Sequence, residues 1–224
     1  MKNLLLSLGL LVGVTGAAHA QNGVKYGLKG GFNGATFSGT DSKGSEYKAG
    51  FAAGGFLNFG FSDLVSIQPE LLYSQKGASI DNFQGASGTT LKSTVGYLDV
   101  PLLVRLTAGD DGKGPFFEAG PQGSFVLHNR DFTQTGGNDT QSTKNTSTDD
   151  LNKVVIGYVA GIGYQITSGL SLGLRYSGDI SQVYKDGASR AYAFKPGSTQ
   201  LNGNNPNVHN SVFQFQVGYA FGGR

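Results

Sequence analysis

Leu64-Val-Ser-Ile-Gln-Pro-Glu-Leu-Leu-Tyr-Ser-Gln-Lys76 is the stretch that decides the fold. Val65, Ile67, Pro69, Leu71 and Tyr73 share one parity, and Ser66, Gln68, Glu70, Ser74 and Lys76 share the other. Successive side chains of a strand point to opposite faces, so this segment separates an apolar medium from a polar one. In a soluble sandwich the apolar face turns inward; in a membrane barrel it turns outward to lipid.

Seven more segments repeat the pattern. Residues 24–35 set Val24, Tyr26, Leu28 and Phe32 against Lys25, Gly27, Lys29 and Gly31. Residues 47–59 set Tyr47, Phe51 and Leu57 against Lys48, Gly54 and Asn58. Residues 95–107 alternate Leu98, Val100, Leu102 and Val104 with Tyr97, Asp99 and Arg105. Residues 115–127 alternate Phe117, Ala119 and Phe125 with Glu118, Gln122 and Ser124. Residues 153–166 place Ile156, Tyr158, Ile162 and Tyr164 opposite Gly157, Gly161 and Gly163. Residues 170–179 place Leu172, Leu174 and Tyr176 opposite Arg175 and Asp179, and 211–221 place Phe213, Phe215, Tyr219 and Phe221 opposite Gln214 and Gln216. Most of these reach the roughly 9–11 residues that a tilted strand needs to cross a bilayer. Soluble strands are nearer about 5–6.

The connections sort by length. Segments 60–63, 108–114 and 167–169 are short, whereas 36–46, 77–94, 128–152 and 180–210 are long. Strict alternation puts every short turn on one side and every long loop on the other, which a soluble sandwich has no reason to do. The expectation is all-β: an eight-stranded antiparallel up-and-down transmembrane β-barrel with short periplasmic turns and long external loops. The loops are polar, and 129–150 reads as mobile from its Gly, Ser, Thr and Asn content.

Composition agrees. The chain has 37 Gly, 15 Phe and 10 Tyr, no Trp or Cys, and only 14% charged residues. Ordinary soluble domains carry about 25% charge. A lipid-facing band needs none, and glycine lets strands curve around a narrow interior. The absence of cysteine removes disulfides, thiol catalysis and thiolate metal sites. A net charge of +2 without a basic run gives no reason to expect nucleic acid.

At the start, Lys2, the apolar run 4–16 and Ala18-His19-Ala20 read as an export leader cleaved before Gln21. The run is short for a membrane helix. The expected organisation is a signal peptide over 1–20 and one barrel domain over 21–224, with localisation in the bacterial outer membrane.

Six stretches together resemble the PorT-like family of outer-membrane β-barrels from Bacteroidetes-type bacteria. They are Gly27-Leu-Lys-Gly-Gly-Phe-Asn33, Ile67-Gln-Pro-Glu-Leu-Leu-Tyr-Ser-Gln-Lys-Gly77, Tyr97-Leu-Asp-Val-Pro-Leu-Leu103, Phe117-Glu-Ala-Gly-Pro121, Leu172-Gly-Leu-Arg-Tyr-Ser177 and Phe215-Gln-Val-Gly-Tyr-Ala-Phe221. The resemblance implies an eight-stranded barrel in the outer membrane; it does not carry the secretion role of the family's namesake. The ending departs from many such barrels, since Gly222-Gly-Arg224 follows Phe221.

If the apolar faces meet lipid, the polar faces fill the lumen. Parity then places Lys29, Glu70, Lys76, Asp99, Arg105, Glu118, Arg175 and Asp179 inside, as a charge network that must pair. Such a network either plugs the barrel and sets its register, or lines a narrow path for ions or small solutes. A third reading is an exported soluble carrier of an apolar ligand, as in lipocalins. Tyr26, Tyr73, Tyr158, Tyr164, Tyr176, Tyr219 and Phe221 are candidates for interfacial girdles. Ser124, His128 and Asp131 make a hydrolase triad only on paper, because nothing resembles a nucleophile elbow. No enzyme activity, cofactor or metal is expected. The expected partners are outer-membrane lipid, the barrel-insertion machinery during biogenesis and an unknown partner at the external loops.

Overall fold

The computed structural model describes residues 24–42, 44–81, 88–109, 113–135, 142–188 and 206–221. The leader 1–20, the pair Asp110-Asp111 and the tail after Phe221 lie outside the described residues. Eight long strands follow in order: β1 (Val24–Ser38), β3 (Lys48–Gly60), β4 (Val65–Asp81), β5 (Thr89–Thr107), β6 (Gly114–Thr135), β8 (Val154–Gln165), β9 (Leu170–Asp179) and β10 (His209–Phe221). Two short ones, β2 (Ser45–Glu46) and β7 (Ser142–Asn145), pair with the outer ends of β4 and β6.

Every long strand pairs antiparallel with its neighbour in sequence, and β1 pairs with β10 from Tyr26↔Phe221 to Ser38↔His209. The sheet is therefore closed. Closure leaves no unpaired edge, which is the condition for a sheet to sit in lipid. At the short-turn end the strands start and stop within a residue of the expected positions.

The long-loop ends differ. β4 was expected to stop at Lys76 but runs to Asp81, β5 begins at Thr89 instead of Val95, and β6 continues to Thr135 instead of Leu127. These extensions pair with each other, from Gly77↔Thr94 to Asp81↔Thr90 and on to Thr89↔Thr135. Much of the segment expected to be mobile is therefore strand.

Polarity inverts along these extensions. Between the short turns and Lys76 the outward side chains are apolar and exposed, among them Leu28, Phe32, Leu71, Leu102, Ile162 and Phe215. The inward ones there are largely polar. Beyond Lys76 apolar residues enter the inward positions: Phe37, Ala78, Ile80, Leu91 and Val95 are buried there beside the polar Ser93, Asn129 and Asp131. The outward ones become polar, with Lys92 and Arg130 exposed. One continuous barrel thus has a lipid-type lower section and a water-type upper section.

Two glycines make room for lumen aromatics. A Cβ at Gly27 would fall 2.4 Å from the Phe56 ring, and one at Gly163 would fall 2.2 Å from Phe116. Gly163→Val is expected to cost about 1–3 kcal/mol through overpacking. Gly173→Ala should be tolerated, because its nearest contact would be 3.5 Å. Urea midpoints of the two refolded variants check this contrast.

Candidate functional site

Six inward-facing groups from different strands gather in the part of the lumen nearer the short turns. β4 supplies Glu70, β6 Glu118, β9 Arg175, β1 Lys29, β5 Arg105 and β8 Gln165. Arg175 spans the lumen. Its Nη1 donates to Glu70 Oε2 at 2.8 Å, its Nη2 donates to Glu70 Oε1 at 3.0 Å, and its Nε donates to Glu118 Oε1 at 3.0 Å. Nη2 also donates to Glu118 Oε1. Lys29 Nζ closes the cluster at 2.6 Å from Glu70 Oε1 and 3.9 Å from Glu118 Oε1. All four side chains are almost fully buried. In so dry a site an unpaired charge costs several kcal/mol, so the bidentate geometry is what makes the cluster tenable.

Arg105 sits at the lower edge of the cluster. Its guanidinium lies 3.6 Å over the Phe116 ring and donates to Gln165 Oε1 at 2.6 Å, while Glu118 Oε2 stands 4.0 Å away. Below it a cavity of 580 Å³ opens among the short turns, lined by Lys25, Asn58, Gln68, Ser171 and Arg105, among others.

Lys76 and Asp99 form a separate pair at 2.9 Å, one tier higher. Lys76 also donates to Ser124 Oγ at 2.9 Å and lies 4.8 Å over the Tyr97 ring. Asp179, expected among the ion pairs, instead accepts from Asn210 Nδ2 at 2.6 Å and from the Asn210 backbone at 3.3 Å. Asn210 also donates to the Tyr97 hydroxyl at 3.2 Å. Seven of the eight predicted charges therefore form two tiers rather than one network, and Asp179 stands outside both.

Above the second tier an apolar cap closes the mouth. Phe37, Ala78, Ile80, Leu91, Val95, Tyr97 and Val155 from the strands pack with Leu151, Val183, Tyr184, Ala188 and Val208 from the loops. Backbone bonds hold the loop residues in place: Asn152 N donates to Val183 O and Val183 N donates to Val208 O, each at 2.9 Å. The sequence reading missed this cap, although Val183-Tyr184 and Leu151 stand out as apolar residues in polar loops.

The girdle candidates form two groups. Tyr26 stacks on Phe221 at 5.8 Å and Tyr219 meets Phe221 edge-on at 5.0 Å, beside the short turns, where Tyr164 also lies. Toward the long loops, Tyr158 is 6.1 Å from Tyr176, which is 5.1 Å from Phe213. Tyr73 accepts from or donates to His128 Nε2 at 2.9 Å on the outer face. The pairing register shifts between Gly96 and Tyr97, opposite Leu127, and this turns His128 outward. Ser124 faces the lumen and His128 the exterior, so the paper triad does not assemble.

A closed antiparallel barrel with an apolar outer belt, a charged lumen and loops sorted to one side defines the class of integral outer-membrane barrels. A family model described as "Outer membrane protein beta-barrel domain" matches residues 19–184, well over half of the chain. The chain belongs to that family and resides in the bacterial outer membrane.

Among solved structures, Ail, the attachment invasion locus protein of Yersinia pestis, is 10% identical, with a TM-score of 0.48 over 88% of this chain and 98% of that one. Neisserial surface protein A is 14% identical, with a TM-score of 0.46 over 89% and 99%. The outer membrane protein OprG from Pseudomonas aeruginosa is 11% identical, with a TM-score of 0.39 over 89% and 97%. Likenesses this distant carry no argument about function. No curated protein matches the sequence.

Proposed function

We propose that the protein is a closed outer-membrane barrel whose role is structural and binding rather than catalytic. The observation that carries this reading is the double obstruction of the lumen. The Glu70–Arg175–Glu118 cluster fills the part nearer the short turns, and the Leu151–Val183–Tyr184 cap covers the mouth. Eight strands leave an interior just wide enough for side chains, and in this reading two tiers of paired charge among the described residues fill the space a hydrated ion would need.

The same reading assigns the two aromatic groups to the lipid headgroup levels, where amphipathic rings are stable. It takes residues 1–20 as an export leader and the closing strand β10 as the segment offered to the insertion machinery. Within the family, the six motif stretches favour a PorT-like member. Partners of the external loops would dock on the upper section, whose outer face is polar. No cofactor or nucleic acid enters this reading.

The test is a planar-bilayer recording of the refolded protein. The expected result is no reproducible conductance step. Steps that change in Glu70→Gln would overturn the closed barrel in favour of a narrow channel, a reading supported by the open cavity below Arg105. The soluble-carrier reading requires a polar exterior, and the exposed belt of Phe32, Leu71, Ile162 and Leu174 counts against it. Release from membranes by sodium carbonate would revive it.

A further inference from the structure

We infer that the vestibule at the short-turn end is a binding site for a small oxyanion, a carboxylate or phosphate ester arriving from the periplasmic side, with Arg105 as its recognition group. The inference goes beyond the closed-barrel reading and does not depend on it, since the site needs only the open cavity.

Arg105 is 5% exposed and lines the inner end of the 580 Å³ cavity. A guanidinium carries five N–H donors. Among the described residues one hydrogen bond engages them, to Gln165 Oε1 at 2.6 Å; the Glu118 contact at 4.0 Å is too long to count. Gln165 is itself pinned to the turn, donating to Thr167 O at 2.8 Å and Leu170 O at 3.2 Å. The Phe116 ring lies against one face of the guanidinium. The group is thus held by one edge and one face, and among the described residues its remaining donors are unmatched in a polar cavity.

A buried arginine that served only to balance charge would lie closer to a carboxylate. Here Glu70 is held by Arg175 and Lys29, and Glu118 Oε1 by Arg175. Glu118 Oε2 has no hydrogen-bond partner among the described residues, while Arg105, the third cation beside two acids, stops 4.0 Å short of it and turns to Gln165 instead. Lys25 adds a second positive charge to the cavity wall, and Asp63 in the turn is the single acid lining it among the described residues. Asn58 and Gln68 direct their amide hydrogens at Ser66, Gln68 and Glu70. Donors for an incoming anion therefore come from Arg105 and Lys25. Arginine's planar fork matches a carboxylate or phosphate edge bidentately.

Succinate and inorganic phosphate serve as probes, each titrated into the full-length refolded protein in micelles against sodium chloride of equal ionic strength. The readout is the arginine Nε–Hε NMR signals, with Arg105 assigned through Arg105→Lys. We expect a saturable shift of the Arg105 signal, no shift of the surface Arg130 signal, and about tenfold weaker binding in Lys25→Gln. Lys25 is half-exposed at the rim, so if Arg105→Lys fails to refold, the same tenfold loss of probe affinity in Lys25→Gln, read by isothermal titration calorimetry, decides the test, and unchanged affinity overturns the site. Saturation by succinate alone, by phosphate alone or by both supports the site and names its preferred group. No saturation of Arg105 below about 50 mM of either probe, or equal movement of Arg130, overturns it.

Discussion

Arg175→Ala will lower the stability of the refolded barrel by about 3–5 kcal/mol, the cost of stranding buried charge. Removing the guanidinium takes away its donors to Glu70 and Glu118 together. Lys29, 2.6 Å from Glu70 and 3.9 Å from Glu118, and Arg105, 4.0 Å from Glu118 Oε2, are then the cations left to face two carboxylates. Both acids come from strands locked into the ring and are under 5% exposed, so neither can swing out to water. Arg175→Lys should fall between the extremes, because it keeps the charge but loses the planar fork. Urea unfolding in lipid vesicles, followed by tyrosine fluorescence, gives both values. A loss below about 1 kcal/mol for Arg175→Ala would mean that water already solvates the cluster and that it does not plug the lumen.

The inside–outside assignment of these groups was legible because a strand has a period of two. Once Val65, Ile67 and Leu71 face outward, Glu70 has nowhere else to point. Which partner it takes was not legible. Lys29 lies 41 residues away and Arg175 lies 105 away, and their meeting depends on register accumulated around the whole ring. The parity rule itself failed in two places for physical reasons. At His128 an extra residue in β6 flips the face, as any one-residue slip must. Beyond Lys76 the medium outside changes from lipid to water. Ala78, Ile80, Leu91 and Val95 then sit inside on what had been the polar parity. Reading that change as the end of the strand truncated β4, β5 and β6. It also hid the cap, whose other half comes from the loops.

Val183→Asp will detach that cap without unfolding the barrel. Val183 is fully buried, touching the cluster of Phe37, Tyr97, Leu151, Tyr184 and Val208. Fully burying such aliphatic side chains contributes about 1.5–3 kcal/mol each, and the ordering of the loop backbone consumes much of that gain. A carboxylate placed in so apolar a site costs several kcal/mol, more than this local balance holds. The segment around Val183 therefore swings into water, breaking the backbone bonds to Asn152 and Val208. The ring of eight strands does not depend on those bonds and should keep its heat-resistant mobility on gels. Lys185 reports the change. It is exposed but tied to Asp149 O at 2.7 Å, and trypsin should cut after it at least about tenfold faster once the loop is free. Conductance should still be absent in Val183→Asp, because the Lys76–Asp99 pair and the Arg175 cluster remain below the cap. If Val183→Asp alone conducts, the two tiers of charge do not seal the lumen and the cap is its only gate.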